Sequence, residues 1–211
     1  MAKSIKKLHK ILVILPFVGL FLFVCFYIIA SLQYTGGSFV APDHLNFSLK
    51  NNYLCDLLET YQIDGTLNQA RLFARIALVV ICFSILLFWT LFIKLFPRKS
   101  KLQVLMQIMG ILSMLVLLFL VSGNHDIIIR IAGFFGTIAH LIALYELYKI
   151  GYFKLTLFGV FSFLLFLMNY FLYELALLLY LLPIIQKITF ILFLSWFTIL
   201  NSIIYRHLNT I

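Results

Sequence analysis

Only 7 of the 211 residues are Asp or Glu and 5 are His, so each acid or imidazole set among apolar residues is a candidate for chemistry. Asp56, His125 and Asp126 are the candidate catalytic residues, because carboxylates and imidazoles are the groups that move protons and hold metals. Cys55, next to Asp56, offers a thiol that His125 could activate as a nucleophile. None of this reaches an established signature. The chain has no H-E-x-x-H and no H-x-x-x-H, and Cys25, Cys55 and Cys82 form no C-x-x-C pair. No metal or other cofactor is expected, and these residues alone leave open whether the protein is an enzyme.

A wider polar set surrounds the same positions. Arg71 and Arg75 are one helical turn apart at the start of one apolar run, His125, Asp126 and Arg130 open another, and Asn169 and Glu174 lie late in a third. Ionisable groups inside membrane spans cost about 2.5–3.5 kcal/mol on insertion scales, so they normally turn towards the interior of a helix bundle. The expectation is an outward-facing polar chamber in which Asp56, Asp126 and Glu174 offset Arg71, Arg75 and Arg130. Asn52, Asn68 and Asn124 would supply hydrogen bonds, and His125 would change charge near neutral pH. The plainer alternative is that these are interface residues, solvated or paired to hold a loop on the bundle. His140 lies deeper, as a buried neutral histidine with a hydrogen-bond partner or, alternatively, as a proton relay with Glu146. Asn201 and Ser195 read as polar glue between helices.

The elements that must position these residues are membrane helices. The composition is 64% hydrophobic and 11% charged with mean hydropathy +1.11, whereas soluble domains are about one quarter charged. A run of roughly 20 apolar residues crosses a hydrocarbon layer as a helix, and about six such runs follow one another. They are expected near Ile11–Gln33, Leu72–Ile93, Leu102–Val121 and Ile127–Tyr148, with a long tilted fifth helix from Leu155 to Leu182, a turn at Pro183–Lys187, and a sixth helix over Ile188–Tyr205. A competing division ends the fifth near Asn169 and starts the sixth near Leu175. A tight turn is expected at Ser122-Gly123-Asn124, and Gly133 with Gly136 forms a small-residue strip for close helix approach. The fold class is therefore an all-helical six-span bundle, with residues 1–211 forming a single integral membrane domain.

Residues 34–70 form the one long loop. Tyr53, Leu54, Leu57, Leu58 and Tyr61 recur at helical spacing, which predicts a short amphipathic helix within Asn51–Tyr61 on the membrane interface. Lysines and arginines gather at every second junction: Lys3, Lys6, Lys7 and Lys10, then Lys94, Arg98, Lys99 and Lys101, then Lys149 and Lys154, and finally Arg206. Asp43, Asp56, Glu59 and Asp64 fall in the long loop. Basic residues stay on the cytoplasmic side, so both termini are expected in the cytoplasm of a cell or plasma membrane and the loop outside. The net charge of +9 is accounted for by these flanks, and a nucleic-acid partner is not expected. The first apolar run is too long for the usual cleaved signal of about 7–15 apolar residues and reads as an anchor. Asn46-Phe47-Ser48 fits the N-glycosylation pattern.

Asn52-Tyr53-Leu54-Cys55-Asp56-Leu57, followed by Asp64-Gly65-Thr66-Leu67-Asn68 and a span, resembles uncharacterised six-helix bacterial membrane proteins of a domain-of-unknown-function type, distantly similar to the DRAM/Sfk-like proteins. Those proteins carry an Asn-x-x-(Ser/Cys)-Asp-Leu element in a first outer loop and a His-Asp pair in a later outer turn, here Asn124-His125-Asp126. Leu58 stands where a glycine often follows. The resemblance implies a topology and an outer-side motif without a reaction. The first functional expectation is accordingly a protein whose outer polar cluster binds lipid head groups, a small ligand or a partner protein. An intramembrane enzyme acting on a lipid or isoprenoid at the outer leaflet is the alternative. A small transporter is third, since the paired broken helices of many carriers are missing.

Overall fold

The computed structural model describes the backbone of residues 2–97, 99–121 and 124–210, and the side chains of 11–97, 99–121 and 124–208. Ser122 and Gly123 of the expected turn, and the side chains of Lys3, Lys6, Lys7, Lys10 and Arg98, lie outside the described residues. The long elements are α1 (Ala2–Gln33), α2 (Arg71–Phe92), α3 (Lys101–Leu117), α4 (His125–Lys149), α5 (Phe153–Glu174) and α6 (Leu182–Thr210). Six helices are long and apolar enough to cross a membrane. Short 3-10 turns at Ile93–Leu95 and Leu118–Val121 extend α2 and α3 to span length. The all-helical, six-span architecture read from hydropathy is the observed one.

In lipid, apolar side chains gain little by leaving hydrocarbon for a neighbouring helix, so helices associate where small residues permit close packing. Ala30, Ala70, Ala74 and Ala77 are fully buried between α1 and α2. A Cβ on Gly19 of α1 would sit 1.7 Å from Ser84 Oγ of α2, so any larger residue there would force Ser84 to move. Gly110 similarly takes the Trp89 ring, whose Cδ2 would lie 2.4 Å from an added Cβ. A second core, at the end of the bundle that carries the termini, gathers Phe88, Trp89, Phe92, Met106, Trp196 and Leu200.

Polar residues tie the helices at that terminal end. Ser100 begins α3 with a reciprocal cap: its hydroxyl accepts from Gln103 N and its own N–H donates to Gln103 Oε1. Gln103 also donates to buried Glu146 of α4 at 2.6 Å, and Lys149 lies 3.8 Å from the same carboxylate. Glu146 is thereby a joint between α3 and α4, with no contact to His140 of the kind a relay needs. His140 Nε2 instead pairs with the Gly159 carbonyl at 3.1 Å, among the rings of Phe163, Phe193 and Trp196. Asn201 donates to Val13 O at 3.0 Å, the helix-to-helix contact expected of it.

Two boundaries differ from the sequence reading. The turn between α5 and α6 falls at residues 175–181, between the two expected divisions, and Ala176 and Leu178 adopt positive φ there (51° and 49°). Pro183 is the second residue of α6, where its missing N–H costs no helical bond. It marks the start of a helix rather than the turn expected at Pro183–Lys187. The interfacial helix expected within Asn51–Tyr61 contracts to one 3-10 turn, Cys55–Leu57. Side chains compete for the backbone around it: Asp56 Oδ2 accepts from Tyr53 N at 2.9 Å and Asn52 Oδ1 from Ser48 N at 2.9 Å, a local alternative to helix propagation.

Candidate functional site: a cavity beneath the loop

Residues 34–70 fold into a compact cap. Gly37 turns the chain at φ 73°, where an added Cβ would meet Pro42 O at 2.6 Å. Its carbonyl accepts from Asn52 Nδ2 at 2.7 Å and from the Tyr34 hydroxyl. Asn52 also donates to Asp56 Oδ2 at 2.9 Å. Asn68, fully buried, donates towards the carbonyls of Asp56, Leu57 and Glu59 and accepts from Ala70 N, so it joins the cap to the start of α2. Both asparagines are structural, and neither lines an open site.

Several contacts fasten the cap to α1, to α6 and to the turn before α6. The Tyr27 hydroxyl of α1 donates to Leu54 O, and Tyr53 donates to Leu179 O at 3.3 Å. From α6, Gln186 Oε1 accepts from Leu54 N at 2.8 Å, while Lys187 Nζ donates to Asn52 O at 2.5 Å and to Pro183 O. Lys187 also lies over the Phe47 ring. Burial pushes the Asp56 carboxyl above its ordinary range, opposed by the Asn52 and Tyr53 hydrogen bonds and the Lys187 charge.

Between the cap, α4, α5 and the start of α6 lies a cavity of about 1100 Å³. Its mouth carries Asp56 and Glu59 from the cap, His125, Asp126 and Arg130 from α4, and Asn169, Tyr170, Tyr173 and Glu174 from α5. Ile129, Gly133, Phe134 and Thr137 of α4, with Phe166 and Leu167 of α5, line its mostly apolar part further from the cap, where Phe134 is exposed. The helices meet closely further along, where a Cβ on Gly159 would lie 2.4 Å from Leu144 Cδ2, and they separate towards the cap. Gly133 lies in the gap: an added Cβ there finds nothing nearer than Phe166 Cζ at 3.8 Å. Gly136 faces α3 instead, with Ser113 Oγ 3.0 Å from such a Cβ, so the expected small-residue strip serves two different surfaces.

Polar contacts bridge the diverging helices at the mouth. Arg130 grips Glu174 with both branches, Nε to Oε1 at 2.8 Å and Nη2 to Oε2 at 3.0 Å. Asp126 Oδ1 accepts from the Tyr173 hydroxyl at 3.0 Å and lies 3.2 Å from His125 Nδ1. An ionised aspartate only accepts, so this contact assigns the His125 proton to Nδ1. His125 Nε2 is buried without a hydrogen-bond partner among the described residues. Cys55 also lines the cavity, and burial pushes its thiol up to about 12, with the charges of Asp56 and Glu59 acting in the same direction. At neutral pH it is a thiol, and only a thiolate would be a strong nucleophile.

Six of the expected site residues are therefore together: Asp56, His125, Asp126, Arg130, Asn169 and Glu174. Arg71 and Arg75 are elsewhere. They line a separate cleft of about 380 Å³ with Gln33, Gln69, Leu72 and Phe73. Arg71 donates to Asn68 O, and Arg75 to Leu58 O and Thr60 Oγ1, so both hold the cap from its other side. Their charges do not offset the acids of the cavity. Asn124 is exposed at the start of α4 and makes no side-chain cap bond. Tyr170, Tyr173 and Gln186 also line the cavity, as do Tyr53 and Glu59, which the sequence places in the loop without a role at the site. Tyr173 and Glu174 adjoin in sequence, and both bridge to α4, which makes the end of α5 a two-residue clasp. Gln186 and Lys187 lie in the first turns of α6, where a turn at Pro183–Lys187 is expected from the sequence.

Among the described residues no group of three or more His, Cys, Asp or Glu is arranged to hold a metal ion. No protein-family model, no curated protein and no solved structure matches the chain.

Proposed function

We propose that this is a multi-pass membrane protein that binds an amphipathic, lipid-like ligand in the cavity beneath its loop, with the tail between α4 and α5 and the head at the polar mouth. The observation that carries this reading is the lining of the cavity: mostly apolar side chains along α4 and α5 away from the cap, and charged and phenolic groups gathered at the cap end, where Phe39 and Ile63 also line it. Ligand pockets of about 300–1,000 Å³ with a few convergent polar groups are the usual form of small-molecule sites, and this volume suits a lipid. The alternation of basic junctions supports a non-cytoplasmic side for the cap and the mouth, with the ligand coming from the outer leaflet. The resemblance to the DRAM/Sfk-like type belongs to the same proposal, since its Asp-Leu and His-Asp elements are the ones that supply Asp56, His125 and Asp126 to the rim.

Native mass spectrometry of the protein extracted in a mild detergent tests this reading. A retained lipid-mass adduct, lost from a variant with an obstructed cavity, is the expected result. An adduct-free protein that also fails to take up lipid from mixed micelles would overturn it. The second reading, an enzyme acting on a lipid or isoprenoid, is favoured by one observation: Asp56, His125 and Asp126 line the same cavity, with the imidazole oriented by its neighbour. His125→Ala would then leave ligand uptake in place while abolishing turnover of outer-leaflet lipid, whereas a binding protein shows no turnover to abolish.

A further inference from the structure

The charge of the cavity mouth selects among amphiphiles. Four of the chain's seven acids, Asp56, Glu59, Asp126 and Glu174, line one cavity of a protein whose net charge is +9. Against them stand Arg130, whose guanidinium is committed to both oxygens of Glu174, and His125, whose Nδ1 is turned to Asp126. Lys187, whose charge acts on Asp56 from the start of α6, directs Nζ to the carbonyls of Asn52 and Pro183. Among the described residues, Asp126 makes both of its contacts through Oδ1 and Asp56 both of its own through Oδ2. Neither second oxygen meets a donor among those residues, and an ionised carboxylate accepts through both. Glu59 is exposed at the same rim. The arginines that could have greeted a phosphate, Arg71 and Arg75, belong to the other cleft.

We infer that the ligand's head group is a hydrogen-bond donor bearing positive charge, a protonated long-chain amine or an amine-bearing lipid, and that a bare phosphate monoester head is rejected. This rests on the reading of the cavity as an amphiphile site and narrows the class it takes. A cationic head places its N–H groups against the second oxygens of Asp126 and Asp56. An anionic head would face a rim of like charge whose one guanidinium is already paired, and like charge set against like costs binding rather than favouring it.

The test uses three photoreactive probes with one C16 chain carrying a diazirine midway and a primary amine, a hydroxyl or a phosphate monoester as head. Each is incorporated at low fraction into neutral phosphatidylcholine vesicles holding the full-length protein. Labelling is quantified by intact mass and mapped by peptide sequencing. The amine probe is expected to label residues around Phe134 and Phe166 at least about tenfold more than the phosphate probe, with the alcohol between them. In the Glu59→Gln/Asp126→Asn double variant, which keeps an acceptor facing His125 and Tyr173, the amine-to-phosphate ratio is expected to fall about tenfold. Phosphate labelling equal to or above amine labelling at those same peptides would overturn the head-group inference while leaving the amphiphile reading standing. Labelling scattered over all six helices for every probe, and unchanged by obstruction of the cavity, would overturn the amphiphile reading itself.

Discussion

Replacing Gly133 with leucine separates a ligand cavity from a mere packing gap. A Cβ at this position meets only Phe166 Cζ, at 3.8 Å, which is ordinary contact, and the remaining carbons extend into the space between α4 and α5. Glycine within a helix is about 0.8–1.0 kcal/mol less favourable than alanine, and leucine lies close to alanine. The substitution is thus expected to leave the thermal midpoint unchanged or to raise it. A ligand tail that must share the same volume would be overpacked by about 1–3 kcal/mol, a loss of about 5- to 150-fold in affinity. The assay is thermal unfolding in detergent alongside retention of the lipid adduct by native mass spectrometry. Retained folding with lost adduct supports the cavity as the site. An adduct of undiminished abundance in a well-folded Gly133→Leu protein would mean that the ligand does not occupy this cavity. Gly110→Ala is the control, since its Cβ would lie 2.4 Å from Trp89; it is expected to destabilise by about 1–3 kcal/mol without a specific loss of ligand.

Asn68→Ala removes the donor shared by three loop carbonyls and leaves buried polar groups unpaired, so the cap should become sensitive to limited proteolysis at a cost of about 1–3 kcal/mol; a cap as resistant as the original would contradict its structural role. Arg130→Gln breaks an ion pair whose side chains are 50% and 27% exposed, and such pairs contribute about 0–1 kcal/mol; the unfolding midpoint should barely move while ligand exchange quickens, and an unchanged exchange rate would show that the clasp does not restrain the mouth. Cys55, with its thiol pushed up to about 12, should react with iodoacetamide at pH 8 far more slowly than a free cysteine, measured by intact mass; rapid alkylation would contradict its burial. Asp56 is raised above 3.8 by burial, so its contribution to cap stability is full below the unfolded value and is lost as pH rises through the folded one. Asp64 is lowered below 3.8 by its Thr66 contacts, so its contribution is present above that value and is lost only in stronger acid. Proteolytic resistance of the cap should accordingly increase as pH falls from 7 towards 4, and in Asp56→Asn that trend should flatten.

The membrane architecture was legible because hydropathy and charge act residue by residue: a run such as Arg71–Phe92 declares itself whatever it packs against. The gathering of Asp56, His125, Asp126, Arg130 and Glu174 was legible for a related reason, since their depth in the bundle follows from their distance to the nearest helix end. Azimuth was not. Depth alone puts Arg71 and Arg75 beside the acids, yet they project from α2 into a different cleft, and nothing in a single sequence fixes the rotation of one helix against another. The α5–α6 boundary was hidden because Leu175–Leu182 is as apolar as the helices it joins, and Pro183 signals a stop and a first turn equally well. The cap helix failed as a prediction because periodicity in Tyr53, Leu54, Leu57 and Leu58 was outcompeted by Asn52 and Asp56 bonding to the local backbone. Lys187, Gln186 and Tyr173 were missed since their partners lie more than 40 residues away in sequence.

Electron cryo-microscopy of the protein in phosphatidylcholine nanodiscs supplemented with a total membrane lipid extract decides whether the space between α4 and α5 holds a ligand. One elongated density that starts beside Asp126 at the rim and runs past Gly133 to Thr137 is the expected result. A map in which Phe134 and Phe166 close on each other and leave that space filled by protein alone would contradict it.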